Sequence, residues 1–322
     1  MARLLGEHLP VKFELPFRKQ ASVGWLAVAL GEGRVRFAHV KPGPRPAVIS
    51  LEEREWDTAD ANALERVIKQ AHASRHRCTT LLGQPDYQIL LVEAPNVKRE
   101  ELKAAVRWRI KDMIDYHVHD ATIDVLDVPA SAAPQRAATM YVVVTKNEVV
   151  RQIVDRFDAA GVPLAVIDIP DTAQRNIAAL YESPGRALLT LSFDPDGGLA
   201  TITSGGELYV SRRLDIPYDQ VNGDGDAHTR AFDRVLVEVQ RSLDHFERNF
   251  SQLTVERVLV APMAQCEALV AHVAASLQVP VAAMDLADVM DLPPIYLAGT
   301  PDVRARWFRL IGAGLRVEPT VL

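Results

Sequence analysis

The chain has 322 residues, enough to bury a large core and more than one core usually serves, so two lobes are expected. Its formal net charge of -6 lacks the basic excess that phosphate-backbone binding needs, which excludes nucleic acid as the expected partner. Cys78 and Cys266 stand far apart, Met1–Gln20 has no apolar segment of a secretory signal, and no apolar run is long enough to span a bilayer. A cytoplasmic protein without direct membrane insertion is expected.

In chain order, residues 1–20 mix Pro10, Phe13, Pro16 and Phe17 with basic side chains and read as a loosely ordered arm. Val23–Val40 reads as a strand, a Gly31-Glu32-Gly33 turn and a second strand, and the proline-rich Lys41–Pro46 as a connection. Ala63, Leu64, Val67, Ile68 and Ala71 make a helical stripe over Asp60–Ala73. Thr79–Leu82 and Gln88–Val92 are short strands around Gly83-Gln84-Pro85. Glu100–Tyr116 is spaced as an amphipathic helix, with Leu102, Val106, Ile110, Met113 and Ile114 on one side and Arg107, Arg109, Lys111 and Asp112 largely on the other. Ala121–Val128 and Met140–Thr145 follow as strands, then a helix over Asn147–Ala160 that Gly161 closes as a left-handed cap.

At mid-chain, Val162–Asn176 reads as a join: Leu164–Ile169 is an apolar, β-branched strand, and Pro170-Asp171 opens a helix. Beyond it, Ala187–Leu214 repeats the opening hairpin, with turns at Asp196-Gly197-Gly198 and Ser204-Gly205-Gly206, so the chain reads as two similar halves. A loop at Asn222–His228 precedes the longest helix, Arg230–Phe250, whose buried stripe is Val235, Val239, Leu243, Phe246 and Phe250. Strand Val255–Val260, helix Ala264–Leu277, strand Val279–Ala283 and a closing helix Arg304–Leu315 complete an α/β pattern.

Three clusters imitate metal sites and lack a full ligand set. His72, His76 and Cys78 have no fourth ligand nearby, His117, His119 and Asp120 fall at a helix end, and Asn222, Asp224 and Asp226 start a calcium-like loop in which Ala227 replaces the glycine. No metal is expected. No Gly-X-Ser-X-Gly, Gly-X-X-X-X-Gly-Lys or His-Glu-X-X-His is present.

Four stretches carry a resemblance: Glu101–Val125, Ala165–Asn176 (Ala-Val-Ile-Asp-Ile-Pro-Asp-Thr-Ala-Gln-Arg-Asn), Glu238–Phe246 (Glu-Val-Gln-Arg-Ser-Leu-Asp-His-Phe) and Ile311–Arg316 (Ile-Gly-Ala-Gly-Leu-Arg). In this order they resemble the PilM and MshI family of pilus-biogenesis proteins, and are more similar to MshI, the branch of the mannose-sensitive haemagglutinin (MSHA) pilus. The resemblance implies an α/β, actin-like (ribonuclease H-like) two-lobed fold with an inserted subdomain of the FtsA and PilM type. It places the first lobe at residues 1–176 with the insert at about 82–164, the second lobe at 177–300, and a closing helix at 301–322 returning to the first lobe.

Actin-like ATPases hold magnesium and phosphate with two hairpins whose first strands carry Asp-X-Gly. Here Ala29-Leu30-Gly31 and Thr190-Leu191-Ser192 stand at those places, and Val260-Ala261-Pro262-Met263 replaces the glycine-rich adenosine loop. The resemblance therefore implies a pseudo-ATPase scaffold with no catalytic residue and with ATP and magnesium doubtful. Glu238, Arg241 and Ser242 match positions that contact adenosine in relatives. The alternative is an active ATPase or phosphotransferase with displaced magnesium ligands. The implied partner is the cytoplasmic tail of a single-span, PilN-like inner-membrane protein, with the pilus extension ATPase as a further one. The tail is expected between the first lobe's body and its insert, against Arg107, Trp108, Lys111 and Tyr116.

Overall fold

The computed structural model describes residues 24–60, 62–130 and 137–317, and the arm expected at residues 1–20 lies outside them. Strands β1 (Trp25–Leu30) and β2 (Arg34–Lys41) pair antiparallel across the expected turn, in which Gly33 takes a φ of +65°, a left-handed value open to glycine. A third strand, β3 (Ala47–Glu55), continues them into a meander. The sequence reading has no strand there, because Glu52-Glu53-Arg54-Glu55 masks the alternation. Those charges suit an edge strand: Arg34 and Arg36 of β2 pair with Glu53 and Glu55 across the ladder.

Helix α1 (Ala63–Gln70) carries the chain to β4 (Arg77–Leu81), parallel to β1. The next crossover contains an antiparallel sheet of order β5-β7-β6, built from β5 (Tyr87–Glu93), β6 (Ala121–Asp127) and β7 (Thr139–Lys146), with α2 (Leu102–Ile110) between β5 and β6. Helix α3 (Asn147–Ala159), followed by Gly161 at φ +70°, leads to β8 (Leu164–Asp168), parallel to β4. The first main sheet is thus ordered β3-β2-β1-β4-β8.

Helix α4 (Pro170–Ala178) opens the second half, where β9 (Ala187–Asp194), β10 (Gly197–Ser204) and β11 (Glu207–Leu214) form another meander. Short α5 (Tyr218–Asn222) and long α6 (Gly225–Asn249) precede β12 (Val255–Val260), parallel to β9. Helix α7 (Cys266–Ala274), β13 (Val281–Ala283), α8 (Pro294–Leu297) and α9 (Pro301–Gly314) follow. This sheet, β11-β10-β9-β12-β13, repeats the order of the first strand for strand, a fuller repeat than two hairpins.

Two helix ends differ most from the sequence reading. Helix α2 stops at Ile110 instead of Tyr116, because turns over residues 111–118 bring Ile114, Tyr116 and Val118 to the inserted sheet and leave Met113 48% exposed. Helix α6 starts inside the expected loop Asn222–His228, directly after Asp224.

Packing follows from the alternation along the strands. Ile68 and Phe157, from α1 and α3, cover one face of the first sheet, and Val235, Val239, Phe246 and Leu269, from α6 and α7, cover one face of the second. The remaining faces enclose α4 and α9, with Ile177, Trp307, Phe308 and Ile311. Each such large side chain contributes roughly 2 kcal/mol of burial free energy. The two central helices approach so closely that a methyl group at Gly312 would overlap the Ala173 carbonyl.

Candidate functional site

Two sites emerge, a cleft where the two main sheets meet and the outer face of the inserted sheet. The cleft holds a cavity of about 320 Å³ whose lining includes Ala29, Arg36, Arg156, Asp194, Asp196 and Arg309. Alternation along β9 sends Leu189, Leu191 and Phe193 toward α6, and Leu188, Thr190, Ser192 and Asp194 toward α4 and α9. The first hairpin keeps its turn, with Gly31 N–H donating to the Arg34 carbonyl at 2.8 Å. Arg156 of α3 caps that turn from outside, donating to the Leu30 carbonyl at 3.2 Å.

The positions expected to replace the two aspartates behave differently. Ala29 packs on the central apolar cluster. Thr190 is fully buried, its hydroxyl has no partner among the described residues, and its carbonyl accepts from Gln174 Nε2 at 2.9 Å. Ser192 donates to Gln174 Oε1 at 2.5 Å and accepts from Arg309 Nη2 at 3.3 Å. Arg309 Nη1 makes an ion pair with Asp194. Burial raises the Asp194 carboxyl above its usual range against the opposing pull of the Arg309 charge.

The mid-chain stretch after β8 supplies most of the remaining polar groups. Asp168 accepts from Arg316 at 2.7 Å and from the Thr172 hydroxyl, while fully buried Asp171 accepts from the Tyr87 and Ser211 hydroxyls. Gln174 also donates to Thr201 Oγ1 at 2.9 Å. Sequence reasoning passed over Arg309, Asp194, Asp171 and Gln174. The signal available was the polar run Asp171-Thr172-Ala173-Gln174 at the start of a helix fed by a buried strand.

On the expected adenosine side, Glu238 accepts from Arg212 at 3.2 Å and from Arg241 at 2.7 Å. Glu238 and Arg241 line a separate groove of about 490 Å³ with Arg213, Asp233 and Arg234. Ser242 is apart from it: it is buried and its hydroxyl donates to the Glu238 carbonyl of its own helix at 2.7 Å. Tyr218 donates to Asp302 at 3.2 Å and the Gln265 N–H donates to Asn222 Oδ1 at 3.3 Å, tying α5 to the start of α9 and to the loop after β12.

On the inserted sheet, α2 lays Val106 and Ile110 onto β6 and β7. Of the four partner-binding candidates, the structure spends two internally. Arg107 donates to the Val118 carbonyl at 2.5 Å, and Tyr116 carries the Lys146 ammonium 5.2 Å from its ring centre. The other two face outward one turn apart: Trp108 is 68% exposed, and Lys111 is exposed with no ion pair among the described residues. Among the described residues no group of three or more His, Cys, Asp or Glu is placed to hold a metal ion, and no helix is long and apolar enough to cross a membrane.

The comparisons with known proteins speak to the fold. No family model matches the chain, and no curated protein matches it by sequence. Among solved structures, the chain is similar to one in the PilM-PilN type IV pilus biogenesis complex, at 20% identity over 92% of this chain and 99% of that one, with a TM-score of 0.71. It is also similar, at a TM-score of 0.41 and 18% identity over 63% of this chain and 78% of that one, to the cytoplasmic domain of EpsL, an inner-membrane component of the type II secretion system of Vibrio cholerae. A Bacteroides thetaiotaomicron protein with an actin-like ATPase fold gives a TM-score of 0.48 at 10% identity, over 85% of this chain and 94% of that one. The fold is actin-like: two lobes, each a meander continued by two parallel strands. Within that class, the chain follows one in the PilM-PilN complex over 92% of its own length and 99% of that chain's.

Proposed function

We propose that this chain is a cytoplasmic, actin-like adaptor of a type IV pilus assembly machine, held at the inner membrane by the cytoplasmic tail of a single-span, PilN-like protein. The observation that carries the reading is the end-to-end correspondence with a PilM-PilN complex chain. The resemblance carried by the four stretches, which are more similar to MshI, narrows the proposal to the MshI branch of the MSHA pilus, and the same resemblance extends it to contact with the extension ATPase. Trp108 is the proposed anchor for an extended tail, with Lys111 meeting a carboxylate or carbonyl of the peptide. Arg107 and Tyr116 shape that wall by fixing the turns behind it.

On this reading the cleft is a degenerate nucleotide site with no catalytic residue. Ala29 and Thr190 offer no carboxylate to magnesium, and the Arg309 guanidinium adds positive charge beside Asp194 where a second cation is repelled. Glu238 is already paired with both Arg241 and Arg212. The test is purification of the tagged chain from cells with its bound proteins, followed by an ATP turnover assay. The expected result is recovery of a single-span membrane protein and no magnesium-dependent hydrolysis above buffer. Robust turnover by the unaltered chain overturns the pseudo-ATPase reading, and recovery of no membrane protein overturns the adaptor reading.

A further inference from the structure

We infer that the two lobes are bolted closed by the chain's own side chains, so that the cleft needs no ligand to draw its halves together. The inference stands apart from the pilus reading, since it concerns only groups within this chain. Three sets of contacts cross from one lobe to the other.

The first is central. Helix α9 rides on the first sheet, with Gly314 against Val40 of β2, yet its Arg309 is 8% exposed and reaches over to Asp194 and Ser192 at the end of β9 in the second. The second lies beside it. The Gln84 carbonyl, just after β4, accepts from Arg213 of β11, and with its side-chain oxygen turned inward Gln84 also accepts from Arg309 at 3.1 Å. The Arg213 guanidinium carbon stands 4.1 Å from the Tyr87 ring centre. The third joins the inserted sheet to β11. Tyr87 and Ser211 share the buried Asp171 carboxylate, and Tyr141 Oη accepts from the Ser211 N–H at 3.0 Å and donates to the Tyr209 carbonyl at 3.2 Å.

A ligand moves a two-state equilibrium only through its different affinity for the two states. In a two-lobed cleft that difference comes from groups on both sides meeting the ligand together. Here the facing groups meet one another: a cation from the first lobe is matched to an anion from the second, and the Ser192, Tyr87 and Ser211 hydroxyls have acceptors. The closed arrangement therefore forms without a ligand; removing Asp194 leaves the buried Arg309 charge without its partner, and removing Arg309 leaves half-buried Asp194 without the cation that ties it to the other lobe.

The test is a distance between the lobes, measured by pulsed electron spin resonance on labels at Glu32→Cys and Asp226→Cys, both exposed positions. Burial pushes the native thiols up, Cys78 to about 12 and Cys266 to about 11, so labelling near neutral pH is confined to the introduced cysteines. The expected result is one narrow distance, unchanged by magnesium and ATP, that broadens and gains a longer component in Arg309→Ala. Asp194→Asn keeps the side-chain volume and serves as the test should Arg309→Ala fail to fold. A distance that shifts on adding magnesium and ATP to the unaltered chain overturns the inference. So does an unchanged distribution in the folded variants.

Discussion

The cleft and the outer face of α2 treat their polar and aromatic residues in opposite ways. In the cleft, Arg309, Asp171 and Gln174 are buried and Asp194 is half-buried, and each is paired with a group inside the chain, so the cross-lobe contacts are made without a ligand. On α2, Trp108 spreads a large aromatic surface into solvent and Lys111 lacks an ion pair among the described residues. A satisfied buried network holds a shape, whereas an exposed aromatic beside a cation gains its stabilisation only when something covers it. The difference teaches where to seek a partner in this molecule: on the inserted sheet.

Substitutions on the two sides should part company in size and in readout. The largest effect is expected for Gly312→Ala, which drives a methyl group into the Ala173 carbonyl and should cost about 3 kcal/mol in urea denaturation. Asp171→Ala strips the Tyr87 and Ser211 hydroxyls of their acceptor and should cost about 2 kcal/mol. Tyr87→Phe removes one of those bonds, and a double-mutant cycle of the two should return a coupling of about 1 kcal/mol. Lys111→Glu should leave stability within about 0.5 kcal/mol of wild type. It should weaken binding of an acidic tail by a similar small amount and flatten the salt dependence. If Lys111→Glu destabilised the chain as much as Asp171→Ala, the contrast between the two regions would be gone.

Much of the fold is legible in the sequence because it rests on local patterns. The paired halves, the Gly161 cap and the strand-to-helix join at Pro170 were all signalled by periodicity and turn chemistry. What escaped has a physical reason. Strand β3 hides behind charges that pair across to β2, and the end of α2 is set by the reach of Val118 to the sheet, a tertiary contact with no local sign. The cleft network was illegible for the same cause: Arg309 and Asp194 are 115 residues apart, and nothing in either neighbourhood announces the other. Trp108 was named as a tail-contact residue, and at 68% exposure it is not buried among the described residues. Arg107 stood beside it on equal terms until the Val118 carbonyl claimed its guanidinium.

The most direct test of the adaptor account is calorimetry of the cytoplasmic tail of the single-span membrane protein that co-purifies with this chain, titrated into wild type and into Trp108→Ala. The variant should unfold within about 0.5 kcal/mol of wild type, because its indole is not used inside the fold. The account predicts saturable binding to wild type and an affinity at least about tenfold lower in the variant, the loss expected of an aromatic anchor. Equal affinity in the two folded proteins would contradict the placement of the tail on α2, and no binding to either would contradict the adaptor function itself.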